Sequence, residues 1–478
     1  MLLGEIIPEA VLESGDPEIA ALAYDDRLVA PGTLFFCVPG LTRDGHDFAP
    51  AAVDRGACAL VVERPLGLGV PEVLVDDARS AMGPAAARFH GDPSGKVDVV
   101  GITGTNGKTT SAWLVRSLIE GAGRQCGLLG TVATLVGGER RSAVRTTPEA
   151  IDLQGLLREM SESGDLAAAI EVSSHALELG RVDGTRFAVA VFTNLTQDHL
   201  DFHGTMENYW AAKRRLFDDF APGASVVNID DSHGRELAAD LEGAITYGTD
   251  PAAQWRASEI RSGIEGSTFT LRCPDGEFPV TTLLPGLFNV RNVLGSLAAA
   301  HSLGIGTDRL LPALATIGGV PGRFEPVVCG QPFAVLVDYA HTPDSLENVL
   351  RAARGLTEGR VICVVGCGGD RDRGKRPLMG GIAAELADVA IVTSDNPRSE
   401  EPEAIVAEVA AGAAGRARTV VERAEAIGAA IDAALAGDVV VIAGKGHEQG
   451  QEFAGGRVVP FDDREVAAAA LADAGWEG

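Results

Sequence analysis

The stretch from Val97 to Thr110 constrains this chain more than any other. It starts as an apolar run typical of a buried β-strand, passes through Gly104 and Gly107, and ends in Lys-Thr-Thr. The following residues place apolar side chains on one face of a predicted helix, at Trp113, Leu114 and Leu118. A strand, a glycine turn and a helix N-terminus together predict a phosphate-binding site, because unpaired N–H groups and the positive end of the helix dipole face the anion.

The turn has the spacing Gly-x-x-Gly-Lys-Thr. It departs from the usual P-loop because Ile102 stands where the first glycine of that motif is expected. Between a predicted strand and a predicted helix, the spacing still favours nucleotide binding over an ordinary glycine turn. Lys108 is then expected to reach the terminal phosphates, and the Thr109 hydroxyl to ligate Mg²⁺.

Length and composition limit the class of protein. A chain of 478 residues predicts about three domains, and 46% hydrophobic with 22% charged residues predicts packed cores rather than disorder. The net charge of −27 argues against a general nucleic-acid binder. The seven cysteines lie mostly in apolar runs, which is typical of reduced thiols in a cytoplasmic protein. We expect no secretion signal and no membrane span, because no run approaches about 18 apolar residues.

The order of apolar runs predicts an α/β fold of three domains. Residues 1–96 form a small N-terminal α/β domain. Residues 97–321 form a central, P-loop ATPase-like domain in which strands and helices alternate, so a mostly parallel sheet is expected, with an antiparallel hairpin at 255–284 on its flank. Residues 322–478 form a Rossmann-like α/β domain, whose strands begin near 335, 361, 389 and 439.

Polar residues follow two strands of the predicted central sheet. Glu171 ends the run 167–171, where the partner of a phosphate loop normally holds Mg²⁺ directly or through water. The segment 194–203 contains two acids and two histidines whose spacing fits no standard zinc pattern, and we expect His199 to ligate a metal or a phosphate. Lys213, on a predicted helix at 209–217, indicates by itself only a solvated basic face.

Charged residues crowd the loops that follow the four predicted strands of the third domain. If that sheet is parallel, the loops lie on one rim, where α/β sheets bind ligands. The rim then gathers Asp338, Arg371, Arg373, Lys375, Arg376, Asp395, Arg398, Lys445 and Glu448. The chain has 35 arginines but five lysines, and four of these lysines lie in the motifs above, which indicates sites that require a compact or titratable ammonium.

A set of motifs in all three predicted domains resembles the Mur ligases of peptidoglycan synthesis. As an ordered set they are far more specific than any single motif: Gly104-Thr-Asn-Gly-Lys-Thr-Thr110, Glu171-Val-Ser-Ser-His175, Asn194 to His203, Tyr209 to Lys213, Asn289-Val-Arg-Asn292, Pro321-Gly-Arg-Phe-Glu325, Asp338-Tyr-Ala-His341 and Asp395-Asn-Pro-Arg398. The resemblance implies a ligase that uses ATP to phosphorylate the D-glutamate carboxylate of a UDP-linked muramoyl dipeptide. The amine of meso-diaminopimelate would then attack the acyl phosphate to form an amide.

The resemblance also implies which residues handle ATP and Mg²⁺. ATP would be held by Gly104, Thr105, Asn106, Gly107, Lys108, Thr109, Thr110, Asn292, Arg323 and Asp338. The catalytic set would be Lys108, Glu171, His199 and Lys213. Thr109 and Glu171 would serve one Mg²⁺, and His199 with Lys213 a second. In the family that lysine is carbamylated, which turns a cation into a carboxylate able to approach the metal.

Two further substrates have implied sites. The dipeptide precursor would contact Asp26, Thr146, Thr147, Ser173 and Arg181. Asp26 stands where the family usually has serine, and because an acid beside a diphosphate is unfavourable, it would face the uracil or ribose instead. Diaminopimelate would contact Arg371, Asp395, Asn396, Pro397, Arg398, Gly444 and Glu448.

Arg398 favours meso-diaminopimelate over L-lysine as the acceptor, because a guanidinium matches the second carboxylate in bidentate fashion. A structural ion pair of Arg398 with Glu400 or Glu401 is the alternative. Other open readings are a folyl-polyglutamate or D-alanyl-D-alanine adding ligase, and a P-loop switch or motor. We expect a monomer whose third domain closes about a hinge at residues 320–323.

Overall fold

The computed structural model describes residues 1–9, 15–40, 42–143 and 145–476. Within these ranges, no helix combines the length and the apolar character that crossing a bilayer requires. All seven cysteines are free thiols.

The N-terminal part of the chain folds around a small sheet. Its elements are α1 (Leu3–Ile6), β1 (Ala21–Ala23), β2 (Thr33–Phe36), α2 (Ala49–Asp54), β3 (Ala57–Val62), β4 (Glu72–Leu74) and α3 (Ala78–Phe89). The strands pair in parallel in the order β1-β2-β3-β4. The two central strands are apolar along their length because both faces of a parallel sheet are covered.

The middle of the chain builds a larger, mixed sheet. Its elements are β5 (Asp98–Thr103), α4 (Lys108–Gly121), β6 (Cys126–Leu129), β7 (Thr134–Val136), β8 (Glu139–Arg141), α5 (Ala150–Ser163), β9 (Ala167–Glu171), α6 (Ser174–Glu178), β10 (Val189–Phe192), α7 (Leu200–His203), α8 (Met206–Asp218), β11 (Ala224–Asn228), α9 (Ser232–Asp240), β12 (Ile245–Gly248), β13 (Trp255–Gly263), β14 (Gly266–Cys273), β15 (Gly276–Thr282), α10 (Leu287–Ser302) and α11 (Thr307–Leu314). The order is β15-β14-β13-β12-β11-β10-β5-β9-β6-β7-β8. One apolar core lies beneath α4 and α10, and another beneath α5 and α8 on the opposite face.

The C-terminal part contains a third sheet and a separate hairpin. Its elements are β16 (Glu325–Pro326), β17 (Ala334–Asp338), α12 (Pro343–Arg354), β18 (Val361–Cys367), α13 (Lys375–Leu386), β19 (Val389–Ser394), α14 (Pro402–Gly412), β20 (Ala417–Thr419), α15 (Arg423–Ala433), β21 (Val439–Ala443), β22 (Gly450–Phe453), β23 (Arg457–Pro460) and α16 (Asp463–Asp473). The sheet order is β16-β17-β21-β18-β19-β20, and β22 pairs with β23. Because β17, β21, β18 and β19 are mutually parallel, the loops that follow them share one rim, as predicted.

The predicted α/β class is confirmed. In the third domain the four predicted strands are present, but β16, β20 and the hairpin of β22 with β23 were not predicted. Further differences lie at the edges of the central sheet. The hairpin expected at 255–284 is β14 with β15, but β13 adds a further antiparallel strand before it. The opposite edge carries β7 and β8, which the sequence did not predict. These strands have three residues each, too few to show a periodic pattern, and β8 is exposed along its length although Leu135 and Val136 of β7 are buried.

Candidate active site

The glycine turn between β5 and α4 has a backbone that requires glycine. Gly104 has φ +149°, and a Cβ there would lie 1.9 Å from the Thr193 hydroxyl oxygen. Gly107 has φ +86°, and a Cβ there would lie 2.5 Å from Asn292 Oδ1. α4 begins at Lys108, directly after the turn, so its free N–H groups and its dipole face the space in front of the turn.

That space is a cavity of about 520 Å³, within the range of small-molecule sites. Side chains from the central sheet and from the third sheet line it together. It is lined by all the residues of the predicted ATP site except Gly104, by all four predicted catalytic residues, and by Thr146 and Ser173 of the predicted precursor site. The residues predicted to hold diaminopimelate lie outside this lining.

Glu171 lines the cavity and accepts hydrogen bonds from two other residues of the lining. Its buried carboxylate accepts hydrogen bonds from the Thr109 hydroxyl at 2.8 Å and from the Thr131 backbone N–H at 2.7 Å. Hydroxyl and carboxylate oxygens are the ligands that Mg²⁺ prefers, so this donor set fits the predicted ion. Among the described residues, no group of three or more His, Cys, Asp and Glu side chains is arranged to hold a metal.

Lys108 is turned back onto the glycine turn. Its Nζ donates to the backbone oxygens of Gly104 at 2.8 Å and Thr105 at 2.7 Å. Burial lowers the pKa of Lys108, and the nearby Glu171 carboxylate partly offsets that effect. The ammonium therefore lies at the mouth of the phosphate-binding turn.

Lys213 is buried, so the prediction of a solvated basic face is wrong. It is 1% exposed, its Nζ donates to Gly104 O at 2.7 Å, and it lies 4.5 Å from the centre of the Tyr209 ring. Burial lowers the pKa of Lys213 well below its ordinary value, and the Lys108 charge adds to that effect. A lowered pKa increases the fraction of free amine, the form that can react with CO₂, whereas an ammonium cannot.

His199 stands at the start of α7 in a left-handed backbone conformation, with φ +53°. Burial lowers its pKa, which keeps the imidazole neutral and able to ligate a cation. Its ring centre lies 4.8 Å from that of His175 and 6.1 Å from that of Tyr209. The structure therefore places His199 beside the same tyrosine as Lys213.

Residues of the third sheet close the cavity from the other side. Arg323 Nη2 donates to the Thr109 hydroxyl at 3.0 Å, and its guanidinium stacks on the Tyr339 ring at 4.6 Å. Asp338 is buried and accepts backbone hydrogen bonds from Phe324 at 2.7 Å and from Ala340 at 2.8 Å. Burial raises the pKa of Asp338 to about 6 despite these donors and the Arg323 charge.

The predicted precursor residues fall into two groups. The Thr147 hydroxyl donates to Glu171 O at 2.8 Å and lies 3.3 Å from Ser173 Oγ, and the Thr146 hydroxyl lies 3.1 Å from that of Thr131. Arg181 lies further out, where its Nε is 3.0 Å from the buried carboxylate of Glu149. Arg79 and Arg145 contact the same carboxylate, which the sequence did not single out.

Asp26 lies apart from these residues, at the start of a short 3-10 helix in the N-terminal part. Its carboxylate pairs with the Arg55 guanidinium, which also donates to the Asp26 backbone oxygen at 3.1 Å. This partner neutralises the acid that stands where serine was expected, so the Asp26 carboxylate is not an uncompensated negative charge.

The predicted acceptor residues gather on the rim of the third sheet. Asn396 Nδ2 donates to Glu448 Oε2 at 2.8 Å, and Asp395 and Gly444 lie beside them, since a Cβ on Gly444 would be 2.6 Å from Asp395 Oδ2. Arg371 is exposed and donates to its neighbour's backbone oxygen.

Arg398 is fixed by groups that the sequence did not predict. Its Nε donates to Glu452 Oε2 at 2.9 Å and its Nη1 to Gly369 O at 2.8 Å. The expected partner Glu400 instead pairs with the buried Arg376. Arg398 therefore does form the structural ion pair that was the alternative, but with Glu452 rather than with Glu400 or Glu401. Three of its five N–H groups, all on Nη1 and Nη2, have no protein acceptor in the described residues.

Comparison with known proteins gives matches along the whole chain. Family models match in order: "Mur ligase family, catalytic domain" over residues 18–90, "Mur ligase middle domain" over 102–300, and "Mur ligase, glutamate ligase domain" over 322–446. The UDP-N-acetylmuramoyl-L-alanyl-D-glutamate--2,6-diaminopimelate ligase of Geobacillus thermodenitrificans is 48% identical over 96% of each chain. The protein of the same name from Streptomyces coelicolor is 46% identical over 96% of this chain and 93% of its own.

Solved structures agree with the sequence matches. A UDP-N-acetylmuramoyl-L-alanyl-D-glutamate--2,6-diaminopimelate ligase is 33% identical, with a TM-score of 0.73 over 99% of both chains. MurF from Acinetobacter baumannii, 19% identical with a TM-score of 0.66, shares the fold over 98% of this chain and 97% of its own.

Proposed function

The chain belongs to the Mur ligase family and is an ATP-dependent, ADP-forming ligase, and we propose that it adds meso-diaminopimelate to the D-glutamate carboxylate of UDP-N-acetylmuramoyl-L-alanyl-D-glutamate, a step of peptidoglycan precursor synthesis. The observation that carries the proposal is the hydrogen bond between Arg323 and Thr109. The bond joins the segment before β16 to the glycine turn, and Arg323 also stacks on Tyr339, in the rim loop after β17. ATP at the turn would therefore lie beside the rim that is proposed to bind the acceptor.

The first step is transfer of the γ-phosphoryl group to the substrate carboxylate. A free carboxylate is a poor electrophile, and phosphorylation gives it a leaving group. The N–H groups at the start of α4, with Lys108 and Arg323, bind the phosphates and stabilise the negative charge that develops on the transferred group. Mg²⁺ held by Thr109 and Glu171 would reduce the repulsion between the carboxylate and the phosphates.

Lys213 contributes in this account as a carbamate. As an ammonium it would repel a cation, but its buried, easily deprotonated amine suits reaction with CO₂. The resulting anion, with the neutral imidazole of His199, would hold a second Mg²⁺, which would add positive charge beside the phosphates. A guanidinium could not take this role, which explains a lysine in a chain that otherwise favours arginine.

The second step is attack of an amine on the acyl phosphate, with release of phosphate. We assign Asp395, Asn396 and Glu448 to the ammonium group at the far end of the acceptor, and the free N–H groups of Arg398 to its far carboxylate. L-Lysine lacks that carboxylate and would bring a cation toward a guanidinium. Thr146, Thr147, Ser173 and Arg181 would orient the dipeptide precursor.

Competition between the two acceptors tests the proposal. The protein is given ATP, Mg²⁺, the UDP-linked dipeptide and equal amounts of meso-diaminopimelate and L-lysine, and the products are separated by mass. We expect the diaminopimelate tripeptide to dominate. A dominant lysine product would overturn the acceptor assignment.

We further propose a cytoplasmic monomer with domains at 1–96, 97–321 and 322–478. The free thiols and a site for ATP and a nucleotide precursor support this location. Each range contains one of the three main sheets.

A further inference from the structure

Lys445 is a buried cation that no step of the proposed mechanism uses. It follows β21 on the rim of the third sheet and is 0% exposed. Its Nζ lies 2.8 Å from Asn396 Oδ1, 2.9 Å from Glu448 Oε2 and 3.7 Å from Asp395 Oδ1. An ammonium has three donors and loses its hydration on burial, so this set of partners replaces the lost water.

The contacts of Lys445 fix the orientation of the Asn396 amide. Asn396 Oδ1 accepts from Lys445 and also from the Glu452 backbone N–H at 3.0 Å, so that end of the amide must be the oxygen. Nδ2 then faces Glu448 Oε2 at 2.8 Å. Glu448 Oε2 thus receives hydrogen bonds from both Asn396 and Lys445, which hold the carboxylate in one place.

The charges of this cluster match one end of a free amino acid. Asp395 and Glu448 contribute two negative charges and Lys445 one positive charge, which leaves one net negative charge. The Glu448 side chain is 31% exposed, so that charge can reach a ligand, whereas Lys445 cannot. Arg398 lies next to the cluster. Its backbone N–H donates to Glu452 O, and Asn396, two residues before it in the chain, accepts from Lys445. A ligand that carries an ammonium and a carboxylate on one carbon could therefore place its ammonium at Glu448 and its carboxylate at the Arg398 guanidinium.

The space around Lys445 favours a compact cation. Gly444, the preceding residue, has φ +122° and approaches Asp395 so closely that a Cβ would lie 2.6 Å from its Oδ2. A planar guanidinium at position 445 would need a wider gap between Asn396 and Glu448 than an ammonium does. This agrees with the use of lysine here in a chain with 35 arginines and five lysines.

We propose that Lys445 is a positioning residue of the acceptor site: its ammonium holds Asn396 and Glu448 in place and leaves a single negative charge to bind the free ammonium group at the far end of a diamino diacid. The inference rests on the proposed function, because it takes the acceptor to be an amino acid that keeps one free ammonium and one free carboxylate at its far end.

Lys445→Met tests the proposal, because it removes the charge and keeps an unbranched side chain that can stay buried. We expect the KM for meso-diaminopimelate to rise about tenfold or more, the effect of losing one charge-assisted contact, with the KM for ATP within about twofold of wild type. Lys96→Met is the matched control, since Lys96 is exposed and lies just before β5, outside the third sheet's part of the chain, and it should leave both constants unchanged.

A double-mutant cycle separates positioning from general stability. If Lys445 acts through Glu448, then Lys445→Met should add little to the KM of a Glu448→Gln variant, whereas independent effects would multiply. Lys445→Arg covers the case in which Lys445→Met does not fold: it keeps the charge, and the wider guanidinium should displace Glu448 and raise the acceptor KM. An unchanged acceptor KM in whichever variant folds, or an equal rise in the KM values of all three substrates, would overturn the proposal.

The wild-type protein distinguishes failure of this inference from failure of the proposed function. If the wild type adds L-lysine rather than diaminopimelate, the proposed function is wrong, and the variants are compared with L-lysine as the acceptor. An unchanged KM for that acceptor would then overturn the role of Lys445 as well. If the wild type adds diaminopimelate and the variants match it, only the Lys445 proposal is wrong.

Discussion

The Asp344 carboxylate accepts a hydrogen bond of 2.6 Å from the Asn106 side chain, and so joins the first turn of α12 to the glycine turn. It also accepts one of 2.8 Å from the Thr196 hydroxyl. Both donors belong to the central part of the chain and the acceptor belongs to the third sheet's part. This contact, with Arg323 and Thr109, holds the two halves of the cavity together.

Asp344→Ala should therefore weaken ATP binding without unfolding the protein. Removing the acceptor leaves the Asn106 and Thr196 donors unpaired at the joint, and Asn348 on the same helix also loses its acceptor. We expect the KM for ATP to rise about tenfold, with Asp344→Asn milder because one oxygen remains. Glu347→Ala is the control, since that glutamate is on the same helix and pairs only with Arg351 in the described residues. Steady-state kinetics at varied ATP decide the matter, and a KM for ATP equal to that of the control would contradict the role of Asp344.

Lys213→Ala should lose activity by at least about 100-fold, and a small carboxylic acid should restore part of it. The substitution removes the carbamate and leaves space beside His199, where acetate can supply the missing negative charge. Product formation is measured with rising acetate, and chloride at equal ionic strength is the control. Full activity of the variant, or rescue by chloride as well as by acetate, would show that no anion is required at this position.

The buried Asp338 should make stability depend on pH between about 4 and 6. Its pKa rises from 3.8 unfolded to about 6 in the folded protein, so ionisation is unfavourable only in the folded state. Its contribution is complete below pH 4 and is lost as the pH rises through 6, on the order of 3 kcal/mol in all. Urea unfolding at several pH values between about 4 and 6 gives the free energy of unfolding as a function of pH, and Asp338→Asn should make it depend less on pH. An equal pH dependence in the wild type and in Asp338→Asn would contradict a raised pKa of Asp338.

Arg423 and Asp463 form a fully buried ion pair, with both side chains 0% exposed and two contacts of 2.7 Å. Arg423→Met leaves the Asp463 charge without its partner and should cost roughly 3–5 kcal/mol of unfolding free energy. The double variant Arg423→Met/Asp463→Leu should recover much of that loss, because it removes the unpaired charge too. Urea denaturation gives the unfolding free energies of the single and the double variant. Equal values for the two would show that the unpaired Asp463 charge is not what destabilises Arg423→Met.

The sequence was sufficient to predict the parts of the fold whose signal lies in a short stretch of the chain. Apolar strand runs and the glycine turn predicted the parallel sheets, because each signal lies within a few residues. Lys213 could not be placed from its helix alone, since its burial depends on Gly104, more than a hundred residues away in the chain. The same holds for Arg398, whose partner Glu452 comes from a later hairpin, and for Asp344, whose partners belong to another sheet.

The most direct test of the account is phosphate release with each substrate left out in turn. If the glycine turn and the rim of the third sheet form one site for ligation, rapid release should require ATP, the UDP-linked dipeptide and meso-diaminopimelate together, with one phosphate per tripeptide formed. Rapid hydrolysis of ATP without dipeptide and acceptor, unchanged when both are added, would contradict the account and favour a P-loop switch or motor.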